Sequence, residues 1–208
     1  MPQEISRYKC DTKSLISVGS NVATAELEPK ELVLAGIEAL INAELSVEAA
    51  SRLYATPCVP AGAGPDYVNA ALAVRTQLPP TELLARLHEV EARFGRRRER
   101  RWGARTLDLD LLDARGVVMP DKETWRHWYA LPFDAQQREM PDELLLPHPR
   151  MHERAFVLVP LAEIAPDWVH PVLGQSVTQM CEALPAKEIS GIVPIDSAES
   201  LALPAKGR

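Results

Sequence analysis

Long apolar runs are missing from this 208-residue chain. None approaches the roughly 20 residues that a membrane-spanning helix needs, so no membrane partner is expected. The opening residues M-P-Q-E-I-S-R-Y-K lack the apolar core of a secretory signal. Cysteine is scarce too. Cys10, Cys58 and Cys181 are widely separated and without metal-ligand spacing, which suits free thiols in a reducing compartment, and a cytoplasmic location is expected. Also absent are a G-x-x-x-x-G-K-S/T phosphate loop, a kinase glycine loop and G-x-G-x-x-G. A nucleotide, if bound, has to be held by side chains and metal.

Positive charge is in short supply everywhere except one place. The chain carries −6, yet Gly95–Arg105, with six arginines against Glu99, carries +5, leaving −11 for the remainder. A protein that tracks a nucleic-acid backbone spreads positive charge over a face. One concentrated island on an acidic body fits a compact anion such as a nucleotide, so no nucleic-acid partner is expected.

Directly after the island comes T-L-D-L-D-L-L-D, from Thr106 to Asp113. Its alternation places Leu107, Leu109 and Leu111 on one face of a strand and Asp108 and Asp110 on the other. Side chains two apart on a strand are roughly 6.5–7 Å from each other. Mg²⁺ takes one or two carboxylates plus phosphate oxygens, and arginine offers forked donors to phosphate. Taken singly, an arginine run is most often a solvated loop and D-x-D most often an exposed polar face. Side by side they answer one ligand, a magnesium–polyphosphate.

The rest of the chain predicts one domain, with a core over about 14–171. Ser14–Val18 reads as a buried strand turning at Gly19-Ser20-Asn21, and 29–45 as a helix started by Pro29. Residues 47–55 and 67–76 read as strands, joined by the Pro- and Gly-rich loop 56–65. Pro80 opens a second helix with stripe Leu83, Leu84, Leu87, Val90 and Phe94, closed by Gly95. His88 and Glu91 lie three apart on it and point the same way. Strand, helix, strand, strand, helix, strand is a β-α-β-β-α-β order. It predicts an α+β, ferredoxin-like two-layer sandwich with an antiparallel sheet, both helices on one face, and the other face free for a ligand.

Residues 120–143 form an insertion holding Trp125, Trp128, Tyr129 and Phe133, either packed on the body or covering a ligand. C-terminal additions follow: a short helix from Val177 to Leu184 and a tail from Ala186 onward.

These motifs resemble one family. Gly19-Ser20-Asn21, Tyr54-x-Thr56-Pro57, Asp66-Tyr67-x-Asn69, Glu91 before Gly95-Arg96, Arg101-Trp102-Gly103-x-Arg105-Thr106-Leu107-Asp108-Leu109-Asp110, Pro147-His148-Pro149 and Arg154-x-Phe156 are similar to the pattern of the 6-hydroxymethyl-7,8-dihydropterin pyrophosphokinases of folate biosynthesis. The resemblance implies transfer of pyrophosphate from ATP to the pterin hydroxymethyl group, releasing AMP. It implies Arg96, Arg105, Asp108 and Asp110 as catalytic residues, with Asp108 and Asp110 holding two Mg²⁺ ions. It assigns His88, Glu91, Arg98, Leu111, His148 and Arg154 to ATP. Thr56, Pro57, Val59, Tyr67, Asn69, Trp102 and Phe156 go to the pterin, with Tyr67 and Phe156 sandwiching the ring. Ala104 replaces a proline common in the family, Pro60 a glycine, and Glu143 and Leu145 stand where some members use a basic residue and a threonine. A monomer is expected. Two other readings stay open at this point, a nucleic-acid-binding module and a catalytically silent relative.

Overall fold

The structure, a computed structural model, describes residues 13–42, 44–58, 64–96, 105–132, 135, 139 and 141–195. Among these, six strands form one antiparallel sheet. β1 (Lys13–Ser20) runs between β4 (Tyr67–Thr76) and β5 (Asp108–Ala114). β2 (Leu45–Ala50) and β3 (Tyr54–Thr56) pair one after the other with β4, and β6 (Val193–Pro194) pairs with β3.

The single strand expected over 47–55 is therefore broken at Ser51-Arg52-Leu53. Ser51 explains why the ladder survives the break. Its N–H donates to the Ala71 carbonyl, and its hydroxyl accepts from the Ala71 N–H, each at 2.9 Å. A side-chain oxygen stands in for a strand carbonyl.

Two-residue alternation sorts the sheet into two faces. Ile16, Val18, Leu72, Val74, Leu109 and Leu111 pack on α1 (Pro29–Leu40) and α2 (Pro80–Arg93), through Val33, Ile37, Leu83, Leu87 and Val90. Each such side chain, fully buried, contributes about 1.5–3 kcal/mol. α2 ends as expected, with Gly95 at φ +80, a conformation glycine adopts without strain.

The opposite face is not free, contrary to the reading from element order. Leu15, Ala71, Ala73 and Leu112 are covered by α4 (Ala155–Ile164) and α5 (Val177–Glu182) through Val157, Leu158, Leu161, Val177 and Met180. α4 is apolar on nearly all sides and has Pro160 inside it, so it shows no stripe from which a helix could be read. What remains uncovered is the other end of that face, bearing Ser17, Gly19, Tyr67, Asn69, Asp108 and Asp110. The register lines them up in two rows, Asp108–Gly19–Asn69 and Asp110–Ser17–Ala71.

The insertion is closed at its base by paired hydrogen bonds between Met119 and Leu146. It carries α3 (Lys122–Ala130), whose N-cap Asp121 accepts from the N–H groups of Glu123 and Thr124. Past α5, where a weakly ordered tail was expected, come a short helix α6 (Ala186–Ser190) and β6. No helix among the described residues is long and apolar enough to cross a membrane.

Candidate active site

Asp108 and Asp110 leave the sheet from the uncovered face, as the alternation predicts, while Leu107, Leu109 and Leu111 are buried on the other side. Opposite them on β1 are Gly19 and Ser17, so no bulky side chain of the neighbouring strand covers the acids.

Asp108 accepts from Arg96 on one oxygen and Arg105 on the other. Asp110 has Arg154 at 3.3 Å. Burial alone would lower the Arg105 pKa, but the carboxylates of Asp108 and Asp110 outweigh it and raise it. Arg154 is pulled down by burial, with Asp110 opposing, and its guanidinium lies 5.7 Å from the Phe156 ring centre.

Asn21 sets the position of Arg105. Its backbone N–H donates to the Arg105 carbonyl, and its side-chain oxygen accepts from the Arg105 N–H, both at 3.1 Å. Its amide nitrogen reaches the Pro65 carbonyl at 3.3 Å. The G-S-N turn was visible in the sequence, but its function as a clamp on Arg105 was not, because the partners are 84 and 44 residues away.

Glu91 is only 1% exposed. It accepts from Arg96 and from the backbone N–H of Leu109, the latter at 2.8 Å. It ties the end of α2 to β5 as well as bordering the cleft described below.

Pterin-assigned residues gather at the other edge of the uncovered face. The Asn69 amide donates to the Thr56 hydroxyl at 2.6 Å, and both are buried. Thr56 pairs with Tyr67 across the strands. Burial raises the Tyr67 pKa, and the charges of Arg105, Asp108 and Arg96 act on its hydroxyl as well. Pro57 lies against Gly191 of the C-terminal addition. Phe156 packs with the α4 layer. Val59, Arg98 and Trp102 lie outside the described residues.

A cleft of about 520 Å³ opens beside the acids. Its lining combines the charged groups of Arg96, Arg105, Asp110, Arg150 and Arg154, and His148, with the apolar side chains of Leu84, Leu111, Leu144, Leu145 and Trp128, and with His88, Glu139 and Glu143. Thr56, Tyr67 and Asn69 are not part of its lining.

His148 is anchored through its N–H to the Leu112 carbonyl at 2.8 Å. Its Nδ1 accepts from the Arg150 N–H at 3.1 Å, which assigns the proton of the neutral ring to Nε2. Burial, with Arg154 and Arg150 nearby, holds its pKa well below the ordinary histidine value. It is thus a neutral donor at pH 7. Arg150 and Trp128 had no assigned part in the site from sequence; Arg150 follows the Pro147-His148-Pro149 motif directly, and Trp128 lies in the insertion, whose sequence left open whether it covers a ligand.

The sequence pattern of the family described as 7,8-dihydro-6-hydroxymethylpterin-pyrophosphokinase matches residues 15–166. A protein of Methylorubrum extorquens named 2-amino-4-hydroxy-6-hydroxymethyldihydropteridine pyrophosphokinase is 37% identical over 189 residues, covering 89% of this chain and 99% of the relative. A Synechocystis protein of the same name is 39% identical over 130 residues, covering 62% of this chain and 56% of that one. Among solved structures, the wild-type Plasmodium falciparum HPPK-DHPS aligns over 82% of this chain and 44% of its own, with 14% identity and a TM-score of 0.55. The matched stretch is thus somewhat over half of the Synechocystis protein and under half of the Plasmodium chain.

Proposed function

The chain belongs to the 7,8-dihydro-6-hydroxymethylpterin-pyrophosphokinase family, and we propose that it transfers pyrophosphate from ATP to the hydroxymethyl group of 6-hydroxymethyl-7,8-dihydropterin, releasing AMP, in folate biosynthesis. One observation carries this reading. Asp108 and Asp110 stand between an arginine-bordered cleft and the polar, aromatic edge formed by Thr56, Tyr67 and Asn69.

In the reaction the pterin hydroxymethyl oxygen forms a bond to the β-phosphorus of ATP. The bond from that phosphorus to the oxygen bridging it to the α-phosphorus breaks, AMP leaves, and the hydroxyl proton is lost. Catalysis rests on positioning and on charge stabilisation.

Arg96 and Arg105 exchange Asp108 for phosphate oxygens when ATP arrives. His148 offers Nε2–H, and Arg154 and Arg150 offer guanidinium donors, to charge that grows on the leaving AMP. His88, Glu91 and Leu111 serve the nucleoside, and Arg98 the phosphates. Tyr67 and Phe156 stack on the pterin, where an aromatic pair adds about 0.5–1.5 kcal/mol beyond burial. Thr56 and Asn69, already fixed to each other, meet its polar edge. Pro57, Val59 and Trp102 are assigned to the pterin as well.

The donor set suits a hard cation. Two carboxylates share one strand face with no bulk opposite them, and Mg²⁺ binds through one or two carboxylates and substrate phosphates. We assign Asp108 and Asp110 as holders of two Mg²⁺ ions. Bound there, magnesium supplies positive charge for the attacking and leaving oxygens.

Counting β2 and β3 as one interrupted strand, the sheet order is last, first, third, second, which supports a ferredoxin-like topology with β6 added. An RNA-binding sheet of this kind displays stacking aromatics on its open face, where this one carries Asp108 and Asp110.

Replacing Asp110 tests the assignment. Asp110→Ala is expected to abolish turnover while keeping the wild-type circular dichroism. Wild-type activity in that variant would remove Asp110 from the mechanism.

A further inference from the structure

The cleft's lining offers two chemistries. The guanidiniums and His148 take phosphate, so the planar remainder of a nucleotide falls against the apolar side chains. Leu84 and Leu111 among these come from the core elements α2 and β5, but the aromatic one comes from the insertion, as Trp128 of α3.

α3 is fastened in place by Trp125, three residues before Trp128 and so on a neighbouring line of the helix. Trp125 is fully buried, and its indole N–H donates to the Pro147 carbonyl at 2.6 Å. Its ring stacks on Tyr129 at 5.3 Å and packs on His170 at 5.0 Å. Pro147 immediately precedes His148. A single anchor therefore fixes both the helix that carries Trp128 and the backbone that presents a phosphate donor.

We propose that Trp128 is a nucleobase-binding residue: it gives the cleft a face on which the adenine ring of ATP stacks, and the insertion serves to bring it there. The inference rests on the nucleotide reading above and adds the base to it. Base–aromatic stacking lost on substitution by alanine weakens binding by about tenfold. Because Thr56, Tyr67 and Asn69 lie outside this cleft, the effect belongs to the nucleotide alone.

Calorimetric titration with Mg²⁺ and α,β-methylene-ATP, and separately with Mg²⁺ and inorganic tripolyphosphate, tests it on the wild type, Trp128→Ala and Trp128→Phe. Trp128→Ala is expected to bind the ATP analogue about tenfold more weakly and tripolyphosphate within about twofold of wild type. Trp128→Phe, which keeps an aromatic face and packs in the same place, is expected to recover most of the loss. Unchanged analogue binding in Trp128→Ala overturns the inference, as does an equal loss of both ligands. Wild-type protein that binds tripolyphosphate as tightly as the analogue also overturns it, and leaves the phosphate site standing. Wild-type protein that binds neither ligand fails the nucleotide reading itself.

Discussion

A β-carbon on Gly19 would stand 2.3 Å from the side-chain oxygen of Asn69. The two residues face each other across β1 and β4, and the Asn69 amide is held by Thr56, so it cannot swing aside without breaking a buried hydrogen bond. Gly19 is therefore required by the Asn69 side chain and not by backbone conformation. Gly19→Ala is expected to lower stability by about 1–3 kcal/mol, the cost of an unpaired buried polar group. It should also raise the KM for the pterin at least tenfold, with the KM for ATP within about threefold of wild type. Steady-state kinetics with each substrate varied in turn checks this, and an unchanged pterin KM would contradict it.

The two acids differ in how the fold uses them. Asp108 joins Arg96 and Arg105, whereas Asp110 meets Arg154 at 3.3 Å and is 31% exposed. Asp108→Asn should cost about 1–3 kcal/mol of stability, because Arg105 and Arg96, both partly buried, each lose a carboxylate partner, although Arg96 keeps Glu91. Asp110→Asn should cost less than about 1 kcal/mol. Urea denaturation in the presence of EDTA separates the two, and equal losses would refute the asymmetry.

Glu91 makes a stronger case for structure than its place beside the cleft suggests. Glu91→Leu leaves the Leu109 N–H buried without its acceptor and releases Arg96, and is expected to cost about 3–5 kcal/mol. Glu91→Gln keeps an acceptor oxygen and should cost about 1–2 kcal/mol. Denaturation midpoints of the two variants decide the matter.

His170 gives the stability a pH dependence. Its ring is buried, its Nδ1 accepts from the N–H groups of Val172 and Leu173 at 3.2 Å, and its Nε2 has no hydrogen-bond partner among the described residues. Burial first, then the neighbouring His152, pushes its pKa from 6.5 to about 4. Between those values the unfolded chain binds the extra proton, so stability rises with pH. The contribution is fully present above pH 6.5 and is lost as pH falls toward 4, by at most about 1.4 kcal/mol per pH unit. His148 and His152 are shifted the same way and add to the slope. His170→Asn retains an acceptor for the two N–H groups but cannot titrate. The difference in Tm between pH 7 and pH 5 should be smaller in this variant, and an unchanged difference would exclude His170 as its source.

Much of the site was legible in the sequence because β5 writes opposite chemistries on alternate letters. Leu107, Leu109 and Leu111 could only face a core, so Asp108 and Asp110 had to face outward, and the structure bears this out. The helices opened by Pro29 and Pro80 were legible for a similar reason, each having one apolar stripe, although the first ends at Leu40 and not at 45, where β2 already begins. α4 was hidden because a helix buried on most sides has no stripe, and Pro160 looks like a stop. With it was hidden the cover on half of the sheet. The break between β2 and β3 was invisible because it depends on Ser51 bonding to Ala71, twenty residues away. Trp125 and Trp128 were readable as neighbours on a helical turn. Only the fold assigns one to an anchor against Pro147 and the other to the cleft wall.

The identity of the nucleotide product tests the central claim most directly. Wild-type protein incubated with Mg²⁺, ATP and 6-hydroxymethyl-7,8-dihydropterin should release one AMP for each pterin that gains a pyrophosphoryl group, read by ion-exchange chromatography and mass spectrometry. Release of ADP with a singly phosphorylated pterin, or no turnover at all, would contradict the account.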